Sequence, residues 1–527
     1  MSSTPASPAP PPDTDAPAVS VNRPGLVIAT MCLAVVLVIA GVASLNVAVP
    51  TIGRELNASQ SDLQWIVDAF ALTLAALLLP MGALGDKFGR QRLMLIGFVV
   101  FVAANVWAGF ADSVGTLIAA RAVGGAGAAM IFPGTLSTLT ASMPASKRGQ
   151  AIGMWTASAS LGGTFGSLAA GGLVESFWFG SIFVATAAAA ALVALMTATF
   201  VPETSDPAHA NVDPVGSIMS LVGVGGLVLG ITEGPVKGWT DEITLAGFAA
   251  AFVGLLGFAV WELRTDRPLL DVRLFRLRGF STGSVSIFIQ FVVVFGFFFV
   301  GAQYLAFVFG YGPFKTAAAL LPVGVLLPLM STKAPGWSVR VGRGPIGALG
   351  LVCMGIGTAV FSTVGEASSY WTFAAALVVF GAGMGLAAPP ATEAIVEALP
   401  RAQQGVASAM NDVARELGGA LGIAIIGSAL TAGYRASVDD ASDALPAGTT
   451  EVVRDSAAAG YGVAEQAGPE APAVVGVVQD SMADGFNQSM IVATVALVVG
   501  ALYVGLRTPK IIAPAVENAE RMPAPTT

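Results

Sequence analysis

Charge is what this chain is short of. Of its 527 residues only 11% are Asp, Glu, Lys or Arg, where soluble domains carry about 25%, so it cannot build an ordinary water-facing surface. Histidine occurs once, at His209, which excludes a histidine-based metal site. The two cysteines, Cys32 and Cys353, each fall inside an apolar run and read as small buried hydrophobes. No lysine follows the glycine spacing of a phosphate-binding loop, so ATP is not hydrolysed on this chain. No nucleophile–base set marks an enzyme, and nothing points to a nucleic-acid partner or a cofactor.

What is there instead is apolar sequence in long runs. The chain is 55% hydrophobic with a mean hydropathy of +0.76. Its runs of about twenty residues match the length that crosses a bilayer core of about 30 Å. In lipid such runs satisfy their backbone only as helices. The expected fold class is an all-α polytopic membrane protein with fourteen transmembrane helices between residues 26 and 506. Among these, 151–173 is glycine-rich, 317–338 is interrupted by Pro322, Pro328 and Lys333, and the last two are 404–433 and 488–506. Residues 1–24, rich in Pro, Ala and Ser, read as a disordered tail.

The basic residues orient the chain. With both termini in the cytoplasm, 18 of the 25 Lys and Arg fall on the inner side and five on the outer, leaving Arg121 and Arg415 inside spans. The expected location is therefore the cytoplasmic membrane, multi-pass, with both ends inside. The stretch between the second and third spans reads Asp86-Lys87-Phe88-Gly89-Arg90, and the one between the tenth and eleventh reads Val339-Arg340-Val341-Gly342-Arg343. This echo fits a parallel repeat of six spans with two more inserted. The divisions are a cytoplasmic tail at 1–24, a six-helix bundle at 25–203, and an inserted pair with a basic linker at 204–279. A second six-helix bundle at 280–510 carries an acidic outer loop at 433–486, and a cytoplasmic tail follows at 511–527.

Ionisable residues inside spans are costly and mark function by default. Asp68 and Arg121 lie at similar depth in spans two and four with opposite sign, which predicts an ion pair. Span thirteen carries Asp412, Arg415 and Glu416, spaced to share one helical face. These five are the candidates for taking up and releasing a proton. Glu233 and Glu262 read as interfacial. Glycines Gly162, Gly163, Gly166, Gly171 and Gly172 in span five predict close helix packing, and most aromatics of span nine are expected to face lipid.

Several motifs resemble one family. Gly82, Leu84, Asp86, Lys87, Gly89, Arg90 and Arg92 resemble the signature loop of the major facilitator superfamily, and Leu117–Ala129, with Arg121, Gly125 and Gly127, is similar to its fourth-span pattern. Asn46-Val47-Ala48-Val49-Pro50, Trp65-Ile66-Val67-Asp68 and Leu270-Asp271-Val272-Arg273-Leu274-Phe275 resemble the fourteen-helix drug:proton antiporters, of the QacA type. Two positions depart from that pattern: Gly41 stands where the first span has an acid, and Ser167-Leu168-Ala169-Ala170-Gly171-Gly172 lacks the proline of the fifth-span motif. The resemblance implies a major facilitator fold of two six-helix bundles plus two inserted helices. It also implies a monomer that exports amphipathic, cationic or lipophilic drugs in exchange for protons. It further implies that Gly82, Asp86, Lys87, Gly89 and Arg90 form a conformational gate, with Asp86 reaching the start of the helix that carries Asp412. A dedicated exporter of one metabolite or self-made antibiotic, and a non-cycling receptor or lipid-handling scaffold, are the alternatives.

Overall fold

The computed structural model describes residues 23–509 apart from 57, 59, 205–212, 266–267, 366–368, 400–402 and 456. The tails read at 1–24 and 511–527 lie outside the described residues, except Arg23 and Pro24, and so does His209. Seven helices lead: α1 (Pro24–Glu55), α2 (Gln60–Phe88), α3 (Arg90–Gly109), α4 (Val114–Ala141), α5 (Ala145–Ser176), α6 (Ser181–Phe200) and α7 (Pro214–Lys237). Then come α8 (Glu242–Glu262), α9 (Arg278–Phe307), the short α10 (Pro313–Ala319), α11 (Leu321–Val341), α12 (Arg343–Phe361) and α13 (Tyr370–Ala398). The chain continues as α14 (Gln404–Asp440), the short α15 (Thr450–Asp455) and α16 (Ala457–Gln466), and α17 (Ala471–Arg507). Among the described residues there is no strand.

Among the described residues thirteen helices are long and apolar enough to cross a membrane. The fourteenth expected span, 151–173, lies within α5, which is 32 residues long but carries many glycine, serine and threonine residues that keep it outside that set. The interruption expected within 317–338 falls at Leu320, between α10 and α11, and Pro322 sits in the first turn of α11 where its missing N–H costs nothing. Pro328 and Pro335 are carried inside α11. The segment 433–486 is more helical than an outer loop. α14 runs on to Asp440, α15 and α16 fold beyond it, and α17 begins at Ala471. Tyr461 holds this cap down by donating to the carbonyl of Phe307 at 2.5 Å, and Tyr434 donates to Val453 O at 2.8 Å.

Local sequence sets the helix starts. Ser113 accepts from Thr116 N at the head of α4, Asp213 from Val215 N and Gly216 N at the head of α7, and Asp241 from Ile243 N at the head of α8. α1 packs on α5 and α6, α2 on α4, α3 on α4 and α6, and α7 on α8. Further along, α9 packs on α13, α14 and α17, while α12 packs on α13 and α17. The main contacts joining early helices to late ones are α2 against α14 and α5 against α11, and α4 and α7 also meet α14 while α5 meets α13.

The glycines of α5 divide in their roles. A β-carbon at Gly162 would sit 2.7 Å from Val36 O and one at Gly166 2.6 Å from Ala40 Cα, so both are needed for α5 to reach α1. Gly163 has only a loose neighbour, and Gly171 and Gly172 have nothing within 4 Å. The expectation that all five pack closely is corrected for these three: Gly163 only brushes Ile39 of α1 at 3.9 Å, and Gly171 and Gly172 border open space.

Span nine also departs from expectation. Only Phe295 and Phe299 of its aromatics are exposed, whereas Phe297 and Tyr304 are fully buried. Phe297 lies 4.8 Å from Phe361 and 4.9 Å from Phe380 between ring centres, and Tyr304 stacks on Phe486 at 4.4 Å. These rings interlock α9, α12, α13 and α17. Phe297→Ala is expected to cost about 3–5 kcal/mol, read as a clearly lower melting temperature of the purified protein in detergent.

Candidate functional site

α14 begins without a capping side chain of its own. Asp86, from the end of α2, supplies one. Its Oδ1 and Oδ2 accept from Gly405 N, each at 2.9 Å, and Oδ2 accepts from Val406 N at 3.2 Å. Those are the second and third residues of α14, the donors that an N-cap satisfies. The carboxylate is 1% exposed and also receives two hydrogen bonds from Arg90, at 2.9 and 2.7 Å. The approach depends on glycine: a β-carbon at Gly82 would stand 2.6 Å from Gly405 O. Lys87 stays out of this cluster and lies over the ring of Phe88.

Gly89 separates α2 from α3 with φ +113°, a conformation open to glycine and few others. Glu203, beyond α6, lies against it and accepts from Gln91 N and Arg92 N at 3.2 and 3.3 Å, capping α3 as Asp86 caps α14. The echo at Val339–Arg343 shares this backbone, since Gly342 has φ +105° between α11 and α12. It has no acid at 339. Arg343 instead makes four hydrogen bonds to α13, at 3.1 and 3.0 Å to Glu393 and at 2.6 and 2.9 Å to Glu397. A β-carbon at Gly149 of α5 would lie 3.0 Å from Glu393 Oε1, so the second cluster also abuts a helix from the other part of the chain.

The ion pair expected between Arg121 and Asp68 is not formed. Arg121 is buried and turns to the backbone, its Nε donating to Ile66 O at 3.2 Å, and its guanidinium lies 4.3 Å from the ring centre of Phe70. An aromatic face and a carbonyl, each two residues from Asp68 in the chain, have taken the cation. Glu233 and Glu262, near the ends of α7 and α8, are buried against neighbouring protein. Glu233 pairs with Lys237 at 2.9 Å, and Glu262 accepts from Leu270 N at 3.3 Å.

α14 does bring its three charges together. Asp412 is 1% exposed, accepts from Asn411 Nδ2 at 3.3 Å, and has Arg415 Nη1 at 3.8 Å from Oδ1. Its Oδ2 has no hydrogen-bond partner among the described residues. Asn411 is itself anchored, its Oδ1 accepting from Thr392 of α13 at 2.9 Å. Glu416, half-buried, follows on the same face. The guanidinium of Arg415 lies among Phe291, Phe132 and Trp155. Among the described residues no group of three His, Cys, Asp or Glu stands ready for a metal ion.

Sequence reasoning missed Glu203, Glu393, Glu397 and the rings around Arg415. Glu393 and Glu397 did carry a signal: two carboxylates four apart, on one helical face, at the end of an apolar run.

The Major Facilitator Superfamily profile matches residues 31–423. The chain is 30% identical over 494 residues, 92% of its length and 96% of the other's, to the multidrug efflux pump LfrA of Mycolicibacterium smegmatis. It is 33% identical over 430 residues, 80% of its length and 84% of the other's, to the methyl viologen resistance protein SmvA of Salmonella typhimurium. Among solved structures, the human organic anion transporter MFSD10 superposes with a TM-score of 0.61 at 14% identity, over 91% of this chain and 99% of that one.

Proposed function

The chain belongs to the Major Facilitator Superfamily, making it a multi-pass membrane transporter of small molecules and not an enzyme, and on that premise we propose that it exports amphipathic drugs in exchange for protons. The observation that carries this reading is Asp412, a carboxylate buried in a membrane-spanning helix beside Arg415 and Glu416. Such a group is costly in the bilayer unless it is used. The similarity to relatives whose names state multidrug efflux and methyl viologen resistance supports the class of cargo.

In this reading α1 to α6 and α9 to α17 form the two halves, with α7 and α8 inserted between them. The end bearing Asp86 faces the cytoplasm, as the surplus of basic residues on that side favours. The α2–α14 and α5–α11 contacts close that side. Asp86 then latches the closed side through the head of α14, while Arg343, Glu393 and Glu397 brace the matching contact. A proton taken by Asp412 from outside is exchanged for drug from the cytoplasm or inner leaflet.

The test is transport by the purified protein in vesicles holding a pH-sensitive dye. Addition of several chemically unrelated drugs is expected to move protons in the opposite direction. A response to one compound alone identifies a dedicated exporter, and transport or binding indifferent to the pH gradient removes proton exchange.

A further inference from the structure

We propose that Phe132, Trp155 and Phe291 form a binding site for the cationic part of a drug, and that Arg415 is the cation that fills this site while no drug is bound. The inference rests on the export reading above and adds to it the charge of the ligand and the residue that competes for its place.

The geometry is that of an aromatic box. The guanidinium carbon of Arg415 lies 4.6 Å from the ring centre of Phe291 and 5.5 Å from those of Phe132 and Trp155. All three fall within the roughly 6 Å over which ring faces attract a cation. The rings come from α9, α4 and α5, so the box joins two consecutive early helices to a late one. Phe132 and Trp155 are buried with centres 5.9 Å apart. Trp155 is oriented independently of Arg415, because its indole N–H donates to Thr135 Oγ1 at 3.0 Å.

The occupant is loosely held. A guanidinium presents five N–H donors, yet among the described residues none of those of Arg415 makes a hydrogen bond, although its side chain is only 11% exposed. Its nearest carboxylate oxygen, Asp412 Oδ1, is 3.8 Å away, beyond hydrogen-bonding distance. Less than one turn along the same helix, Asp412 Oδ2 is a buried acceptor without a donor. Donors without acceptors and an acceptor without donors thus lie side by side. Rotation of Arg415 onto Asp412, with Glu416 on the same face, satisfies both and uncovers the rings.

This exchange selects a particular ligand. Ring faces attract positive charge without offering hydrogen-bond acceptors, so they suit a lipophilic cation whose charge is delocalised or shielded by carbon. A cation rich in N–H groups loses more on leaving water. The exchange also links to proton movement. Arg415 arriving at Asp412 pairs with the ionised carboxylate, so the proton held there departs as the drug cation enters.

The test is binding of radiolabelled tetraphenylphosphonium to the full-length protein in nanodiscs. Arg415→Gln is expected to tighten binding about tenfold. Phe291→Leu is expected to change wild-type binding less than threefold, because the ring is already occupied, yet to remove most of the gain when added to Arg415→Gln. Arg415→Lys, which keeps the charge but loses the planar face, is expected to tighten binding by a smaller, Phe291-dependent factor; it serves as the measured variant if the Gln protein does not fold. An equal gain with and without Phe291 would mean that only charge was removed and would overturn the inference, as would weaker or unchanged binding in both Arg415 variants. That result, with drug-driven proton movement intact, leaves the export reading standing. Loss of drug-driven proton movement in the wild-type protein removes the reading itself.

Discussion

Asp412→Asn is expected to leave a protein that folds and binds drug but releases no protons when it does so. Asparagine fills the same volume and keeps the hydrogen bond from Asn411, so the packing of α14 against α9 and α13 is preserved. What it lacks is a proton to exchange. In the wild-type protein protons and drug oppose one another, so drug affinity falls as the pH is lowered; in the variant that dependence flattens. Proton release on drug addition, recorded with a pH dye in weakly buffered detergent solution, is expected to drop to background. Net uphill export in vesicles is expected to fall by at least about a hundredfold, while downhill exchange of drug persists. Full proton release by the Asn protein would take Asp412 out of the coupling step and leave Glu416 and Asp68 as the acids to examine.

Asp86→Asn is expected to act on rate and not on affinity. The side chain remains able to accept from one N–H of α14, but it loses its charge, and with it the paired bonds from Arg90 and the favourable interaction with the head of the helix. An N-cap contributes about 0.5–2 kcal/mol and a charge at a helix N-terminus about 0.3–1 kcal/mol. Loss of about 1.4 kcal/mol changes the population of the latched state tenfold. Transport is therefore expected to slow roughly tenfold or more, with the dissociation constant for drug within about twofold of wild type, because Asp86 touches no part of the Asp412 region. A large loss of affinity with unaltered turnover would place Asp86 in the binding site and end its role as a latch. Gly82→Val is a sharper version, since a β-carbon at this position meets Gly405 O at 2.6 Å and Ala409 Cβ at 2.9 Å. It obstructs the contact itself while leaving the carboxylate in place.

Much of this architecture is legible in the sequence, because a bilayer enforces simple rules. Runs of about twenty apolar residues have to be helices, and the helices follow the runs. The charges inside them were also visible one by one. Their partners were not. Arg121 was assigned to Asp68 on depth and sign alone, but a buried guanidinium is served as well by a carbonyl and a ring face, and Ile66 and Phe70 provide both. The aromatic surroundings of Arg415 come from three other helices, and no periodicity in one helix reports which ring of another it will meet. The second cluster was hidden by the repeat itself. Val339 at the position matching Asp86 read as a missing acid, whereas the acid is supplied by Glu393 from α13, fifty residues away from Arg343. Gly171 and Gly172 show the converse error. Glycine in a membrane helix permits close approach but does not require it.

The turn at Gly89 has a mechanical consequence. The place where a β-carbon would point is filled by the Glu203 carboxylate, whose oxygens lie 2.6–2.7 Å from it. The same carboxylate grips the first N–H groups of α3, and Arg90 N donates back to Thr204 O at 3.1 Å. A glycine with so permissive a backbone looks like a pivot, yet here it is a rivet. It fastens the junction of α2 and α3 to the exit of α6, tying these three helices together at this end. The loop itself is thus pinned, and under the proposed alternating access the rocking falls on the seams where early helices meet late ones, the α2–α14 and α5–α11 contacts foremost.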